Sequence, residues 1–318
     1  MTSCKFLAFS DLHHEPQVFP HDAESYLQQI LNRADAEEVS FVVQLGDFLH
    51  TPEFNSALAD IYADHPLPTY NVFGNHDTDQ ENYDYILRMY RLERGYYHFD
   101  RDGYRFIVLD PNYCRNSEGD LIHYAPKQTR EHYRGTLPQE QLDWLQETIS
   151  ESPHPCVIFS HQSLERTDGF SNRDDVWRII CRANCRKEHS VILCINGHYH
   201  CDYCTFVNGV CCLDLNSSSY HWTEAPNNLY PQEFYEKFPL SRNSLLYDSP
   251  LSAVITLEGT DRITVSGAAG KFRFSPTRED VIALTEYRRL CLDRLCVPYI
   301  SDYRIDLKKN SVERFRKE

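Results

Sequence analysis

Five short apolar runs organise this chain, and each stops at residue types that bind metal ions. Run 6–9 precedes Asp11 and His13, run 41–45 precedes Asp47, and run 70–73 precedes Asn75 and His76. Run 157–159 precedes His161, and run 191–195 precedes His198 and His200. Short apolar runs bounded by Gly, Asn or Asp have the pattern of strands buried on both faces of a sheet. Side chains in the loops just beyond such strands fall on one rim, where open α/β sheets keep their sites.

Between the runs the period changes to that of a helix. Segment 22–33 carries Ala23, Tyr26, Leu27, Ile30 and Leu31 at helical spacing, 53–64 repeats the pattern, and 79–90 places Tyr83, Ile86, Leu87 and Tyr90 on one face. Strands alternating with helices predict parallel pairing through right-handed crossovers. Segments 96–99 and 105–109 read as a hairpin around Asp102 and Gly103, and 203–207 and 210–215 as another around Asn208 and Gly209. Helices are expected over 138–149 and 174–186, and two further strands over 253–257 and 262–265. A helix over 277–293 and a polar, basic tail close the chain, whereas 111–136 and 220–247 have no clear period.

A chain of 318 residues is long enough for one large domain. Residues 1–270 are expected to form it, with 271–318 as a helical segment packed on the same domain. The net charge of −15 and pI near 5.4 oppose general nucleic-acid binding, which needs Lys and Arg to neutralise phosphates. A small phosphorylated substrate remains compatible, because metal ions supply local positive charge. The first residues carry neither a signal-peptide pattern nor a transmembrane span, so a cytoplasmic location and no membrane partner are expected. Twelve irregularly spaced cysteines then read as reduced thiols. Cys201, Cys204, Cys211 and Cys212 resemble a structural zinc set in number, but adjacent Cys211 and Cys212 on a strand point to opposite faces. Buried thiols on strands are the expectation there.

Two divalent ions a few ångströms apart need about six to eight protein donors, one of them touching both ions. A carboxylate has two oxygens for that, and Asp47 is the candidate. Asp11 and His13, two positions apart at the end of one strand, are expected to share a face, as are His198 and His200. Carboxylate, imidazole and amide donors without thiolate suit Mn, Fe or Zn in a hydrolytic site.

Asp11-Leu12-His13, Gly46-Asp47, Gly74-Asn75-His76-Asp77, His161 and Gly197-His198-Tyr199-His200 occur in this order. The set resembles the calcineurin-like metallophosphoesterase family, whose pattern is Asp-x-His, Gly-Asp, Gly-Asn-His-Asp/Glu, a lone His and Gly-His-x-His, over roughly residues 4–267. The resemblance implies an α/β fold, a four-layer α/β/β/α sandwich of two mixed sheets flanked by helices. It also implies one metal held by Asp11, His13, Asp47 and His200, and a second by Asp47, Asn75, His161 and His198. By the same resemblance His76 stands beside the substrate phosphate, and a metal-bridging hydroxide attacks phosphorus in line. Many relatives carry an acidic residue three positions after the Gly-Asp aspartate, where it orients that histidine. Here the position is His50, so Asp77, or a residue of another loop, takes the role. The Gly-Asp-x-x-Asp-Arg-Gly run of protein serine/threonine phosphatases is absent, which argues against a phosphoprotein substrate.

Substrate contacts are sought in loops that reach the same rim. Asn112 and Tyr113 follow run 105–109 and either touch substrate or form a turn after Pro111; Asn216 opens a segment, 216–222, that either lines the pocket or packs its aromatics on the sheet. His14 is either a substrate contact or a solvated loop residue. The function expected is hydrolysis of a small phosphomonoester, phosphodiester or nucleotide. A non-catalytic metal-binding scaffold of the same fold is the alternative, and the full ligand set opposes it. The acidic balance opposes a nuclease.

Overall fold

The apolar runs do become strands, and the helical periods become the crossovers between them. The computed structural model describes residues 2–14, 22–49, 52–78, 83–116, 118–124, 135–223, 225–285 and 296–315. Strands β1 (Ser3–Phe9), β2 (Val42–Gln44) and β3 (Thr69–Asn71) lie parallel, joined by helices α1 (Ala23–Ala36) and α2 (Pro52–Ala63). Helix α1 starts where the Asp22 carboxylate accepts the Ser25 N–H at 3.0 Å, an N-cap bond. Helix α3 (Tyr83–Met89) follows; positions 79–82 of the expected helix lie outside the described residues.

Strands β4 (Tyr97–Arg101) and β5 (Tyr104–Val108) form the expected hairpin, and β6 (Tyr113–Arg115) pairs with β7 (Leu121–His123) within the stretch without a clear period. Then come α4 (Gln139–Ser150), β8 (Cys156–Phe159), α5 (Arg173–Arg186), β9 (Val191–Asn196), β10 (Tyr203–Val207) and β11 (Val210–Asp214). The aromatic stretch contains β12 (Tyr220–Trp222), α6 (Gln232–Lys237) and β13 (Ser244–Leu246), and β14 (Ala253–Glu258) and β15 (Arg262–Gly267) follow it. In the closing segment, expected to be helical with a polar tail, the described residues form a helix, α7 (Arg278–Leu284), and two strands, β16 (Asp302–Asp306) and β17 (Ser311–Phe315), while positions 286–293 of the expected helix lie outside the described residues. Alternating side chains explain the difference: Tyr303, Ile305 and Leu307 are buried while Arg304 is exposed, the period of a half-buried strand.

Seven strands form one mixed sheet in the order β17-β16-β15-β14-β1-β2-β3, and six form the other in the order β10-β11-β9-β8-β5-β4. Phe6, Phe41, Phe106 and Phe159 pack between the sheets, with Phe6 stacked on Phe41 at 4.9 Å and edge-on to Phe106 at 5.5 Å. Truncating one such ring to alanine costs about 3–5 kcal/mol. Outside this layer, α1, α2 and α3 cover one sheet through Leu27, Ile30, Tyr62 and Ile86, and α4 and α5 cover the other through Leu145, Val176 and Ile180. The result is the expected four-layer α/β/β/α sandwich of two mixed sheets. Among the described residues no helix is long and apolar enough to cross a membrane.

Candidate metal centre

Strands β1, β2, β3, β8 and β9 all present their carboxyl ends to one rim, and the ligand-type residues sit in the loops just beyond them. These loops are tightly wound: Asp11 (φ 53°), His13 (49°), Asp47 (52°), His198 (69°) and His200 (48°) all have left-handed backbone. For a residue with a Cβ this conformation costs roughly 1–2 kcal/mol, and it persists where surrounding structure imposes it. Close approach also explains the glycines before the motifs. A Cβ on Gly74 would run into the Asp47 backbone nitrogen and carboxylate, and one on Gly197 into the Ser10 hydroxyl and Asp11 carboxylate.

Two groups result, Asp11 with His13 and His200, and Asp47 with His161 and His198. In the first, Asp11 Oδ1 is 3.2 Å from His200 Nε2 and 3.8 Å from His13 Nε2. In the second, His161 Nε2 is 3.0 Å from Asp47 Oδ2 and 3.2 Å from His198 Nδ1. The groups adjoin, because Asp47 Oδ2 is also 3.8 Å from His13 Nε2 and Asp11 Oδ1 is 4.0 Å from His161 Nε2. Of the two pairs spaced two apart, Asp11 and His13 fall in the same group. His198 joins one group and His200 the other, since β9 has ended at Asn196 and the turn aims them apart.

Backbone carbonyls set the donor atoms. His161 donates its Nδ1–H to the Leu45 carbonyl at 2.8 Å, and His200 its Nδ1–H to the Tyr220 carbonyl at 2.8 Å, which turns both Nε2 atoms toward the centre. Asp11 Oδ2 accepts from the Ser10 hydroxyl at 2.5 Å and the His198 N–H at 3.0 Å, and Asp47 Oδ1 from the His76 N–H at 2.8 Å. Each carboxylate is thus oriented by one oxygen and offers the other.

The charges fit cations. Burial opposes the charge of Asp47, but His161, His76 and His13 hold it well below the usual carboxylate range. Burial likewise opposes a charged His161, and Asp47 and Asp11 raise it to about 9. Burial and the neighbouring His161 push His198 down to about 3. Among the described residues, Asp11 Oδ1 and Asn75 Oδ1 are buried oxygens with no hydrogen-bond donor. Buried acceptors of this kind are costly unless something positive meets them, and divalent cations would take both. The donor set of carboxylate, imidazole and amide oxygen suits two such ions.

The remaining candidate residues surround this centre. Asp77, expected to act on His76, is fully buried and accepts the N–H groups of Asp47, Phe48, Leu49 and Gly74 at 2.7–3.1 Å and the Tyr90 hydroxyl at 2.8 Å. It therefore ties the Asp47 loop to the Asn75–His76 loop through the backbone. Burial, then the Asp47 charge, raise it to about 7, against the pull of those donors. His50 lies outside the described residues. Asn112, read either as a substrate contact or as part of a turn, is buried, donating to the Phe73 carbonyl and accepting from Gln162 at 2.8 Å each. Asn216 is buried too, donating to the Val297 and Tyr299 carbonyls at 2.7 and 3.1 Å. Tyr113 is half-buried with its ring against His123 and Tyr83, and half-buried His14 runs beside Leu49.

Sequence reasoning missed the serines that hold the first loop. Ser217 and Ser219 donate to the Asp11 carbonyl at 2.9 and 3.1 Å, and Ser219 also to that of Leu12. A buried serine triplet directly after a strand was the available signal. Of the four cysteines weighed together, Cys204, Cys211 and Cys212 lie on β10 and β11 and Cys201 in the loop before β10, and Cys204 and Cys211 sit 3.6 Å apart as free thiols.

The family model for calcineurin-like phosphoesterases matches residues 4–202. No curated protein matches the chain. Among solved structures, a dimetal phosphatase from Danio rerio is similar at 17% identity and TM-score 0.55, covering 83% of this chain and 95% of that one. PhoD is similar at 11% identity and TM-score 0.55, covering 100% of this chain and 72% of that one. At such identities these two likenesses establish the fold, the same sandwich. The matched segment contains every motif of the rim up to His200, and so the chain belongs to the calcineurin-like phosphoesterase family and is a metal-dependent phosphoric ester hydrolase.

Proposed function

We propose that the centre holds two divalent ions and hydrolyses a small phosphorylated substrate, a phosphomonoester, phosphodiester or nucleotide. One observation carries the reading: Asp47 Oδ2 lies between His161 of one group and His13 of the other, 3.0 and 3.8 Å away. In this reading Asp11, His13, Asp47 and His200 hold one ion, and Asp47, Asn75, His161 and His198 the other. When bound, such a pair supplies Lewis acidity and lowers the pKa of water at the site. The donors suit Mn, Fe or Zn.

The residues of the chain then have distinct tasks. His76 is part-exposed above the groups, its N–H spent on Asp47 and its ring 5.3 Å from that of His13. It faces the substrate phosphate and moves a proton to the leaving oxygen or neutralises developing charge. Asp77 positions both loops from behind and meets no substrate, and of the remaining candidates His14 keeps a place at the rim. A cytoplasmic location belongs to the same reading, supported by twelve cysteines at no regular spacing. Elemental analysis of the purified protein, followed by assays on p-nitrophenyl phosphate and bis-p-nitrophenyl phosphate with Mn, Zn or Fe, tests it. Two ions per chain and turnover of either ester are expected; two bound ions with no turnover would favour a scaffold.

A further inference from the structure

The loop that carries His198 and His200 is wound through two left-handed residues, and its downstream end is gripped from far away in the chain. Asp202, two positions past His200, is fully buried. Its carboxylate accepts the Ser301 N–H at 3.1 Å, the Ser301 hydroxyl at 2.6 Å, the Tyr303 hydroxyl at 2.8 Å and Arg314 Nη2 at 2.9 Å. Arg314 also donates to the Asp202 carbonyl at 3.0 Å and, through Nε, to the Ser301 hydroxyl at 3.1 Å. These donors belong to β16, β17 and the residue before β16, beyond the segment 4–202 that matches the family model.

A second contact comes from the same segment. Asn216 donates to the Val297 and Tyr299 carbonyls, and next to it Ser217 and Ser219 hold the Asp11 carbonyl. The C-terminal segment thus touches the loop of His200 at one end and, one step removed, the loop of Asp11 at the other. Both loops serve the same group, Asp11, His13 and His200. Left-handed backbone at residues with a Cβ relaxes unless held, and a buried carboxylate with four donors holds firmly.

We infer that Arg314 and Asp202 form a clamp by which the C-terminal hairpin positions His200, and through it the ion of the buried group. Neither residue touches substrate; both are positioning residues. The inference rests on the two-ion reading above.

The test uses the full-length protein, with Mn²⁺ binding followed by calorimetry and electron paramagnetic resonance. Arg314→Met is expected to weaken one of two Mn²⁺ sites by roughly tenfold or more, as loss of an outer support typically does, and to leave the other unchanged. Arg314→Lys, which keeps one charged donor, should recover part of that loss. Tyr303→Phe, which removes a single hydroxyl from Asp202, serves should Arg314→Met fail to fold, and should show a smaller shift at the same site. Lys308→Ala loosens the hairpin at its tip, where Lys308 meets Asp261 at 2.7 Å. It should lower the melting temperature without moving either affinity. Unchanged Mn²⁺ affinities in Arg314→Met and Tyr303→Phe, beside a wild type that binds two ions, would overturn the clamp alone. A wild type that binds no ion would overturn the two-ion reading itself.

Discussion

The two halves of the centre are built from the same donor types and are buried differently. Asp11, His13 and His200 are all fully enclosed, with the Tyr220 ring 5.1 Å from the rings of both histidines. Asp47 and His161 are enclosed as well, but their partner His198 is only part-buried, and the part-exposed His76 borders the same edge. One group is therefore a closed, structural-looking pocket and the other opens to the side where a substrate can arrive. In the proposed two-ion reading the contrast divides labour by burial: low dielectric would strengthen the hold on one ion, while access would set the task of the other.

Replacing the shared residue attacks the comparison at its root. In Asp47→Asn both occupancies should fall together and turnover should drop by about 10³-fold, since several kcal/mol of charge stabilisation go with the ions. Metal analysis that finds one group still full would show that Asp47 does not join them. His76→Ala should next lower kcat by about 10²-fold while both ions stay bound. Loss of an ion in that variant would make His76 a ligand and the open group larger than drawn.

Asp77→Asn probes the backbone behind the open group. An amide in place of a carboxylate brings N–H groups toward N–H donors, so unfolding by urea should report a loss of about 2 kcal/mol. A variant as stable as wild type would mean that the four backbone bonds to Asp77 carry little. The finest test compares His200→Ala with His198→Ala by Mn²⁺ titration. The enclosed His200 should cost roughly tenfold more affinity than the part-buried His198, because only one of them has its tautomer fixed by a backbone carbonyl. Equal losses would erase the distinction between the groups.

Much of this was legible beforehand, for identifiable reasons. Runs such as 6–9 and 191–195 are apolar on both faces, which only a sheet covered on both sides explains, and the ligand types beyond them recur in one order. The closing hairpin was less legible, because Tyr303, Ile305 and Leu307 sit among charged residues that read as a solvated tail. For Asn112 and Asn216 the sequence left a substrate contact and a packing role open, and each side chain turns inward to satisfy backbone carbonyls.

What the chain determined through its sequence alone is what local pattern can encode: strands by period, crossovers by helical faces, and donor chemistry by residue type at strand ends. Which donors meet was decided by the tertiary structure, since the His198 N–H and the Asp11 carboxylate that accepts it lie 187 positions apart, and Arg314 and Asp202 lie 112 apart. The physical reason is that left-handed turns aim each side chain individually. Once the strand has ended a spacing of two keeps Asp11 with His13 but parts His198 from His200, and packing from distant segments holds such turns in place.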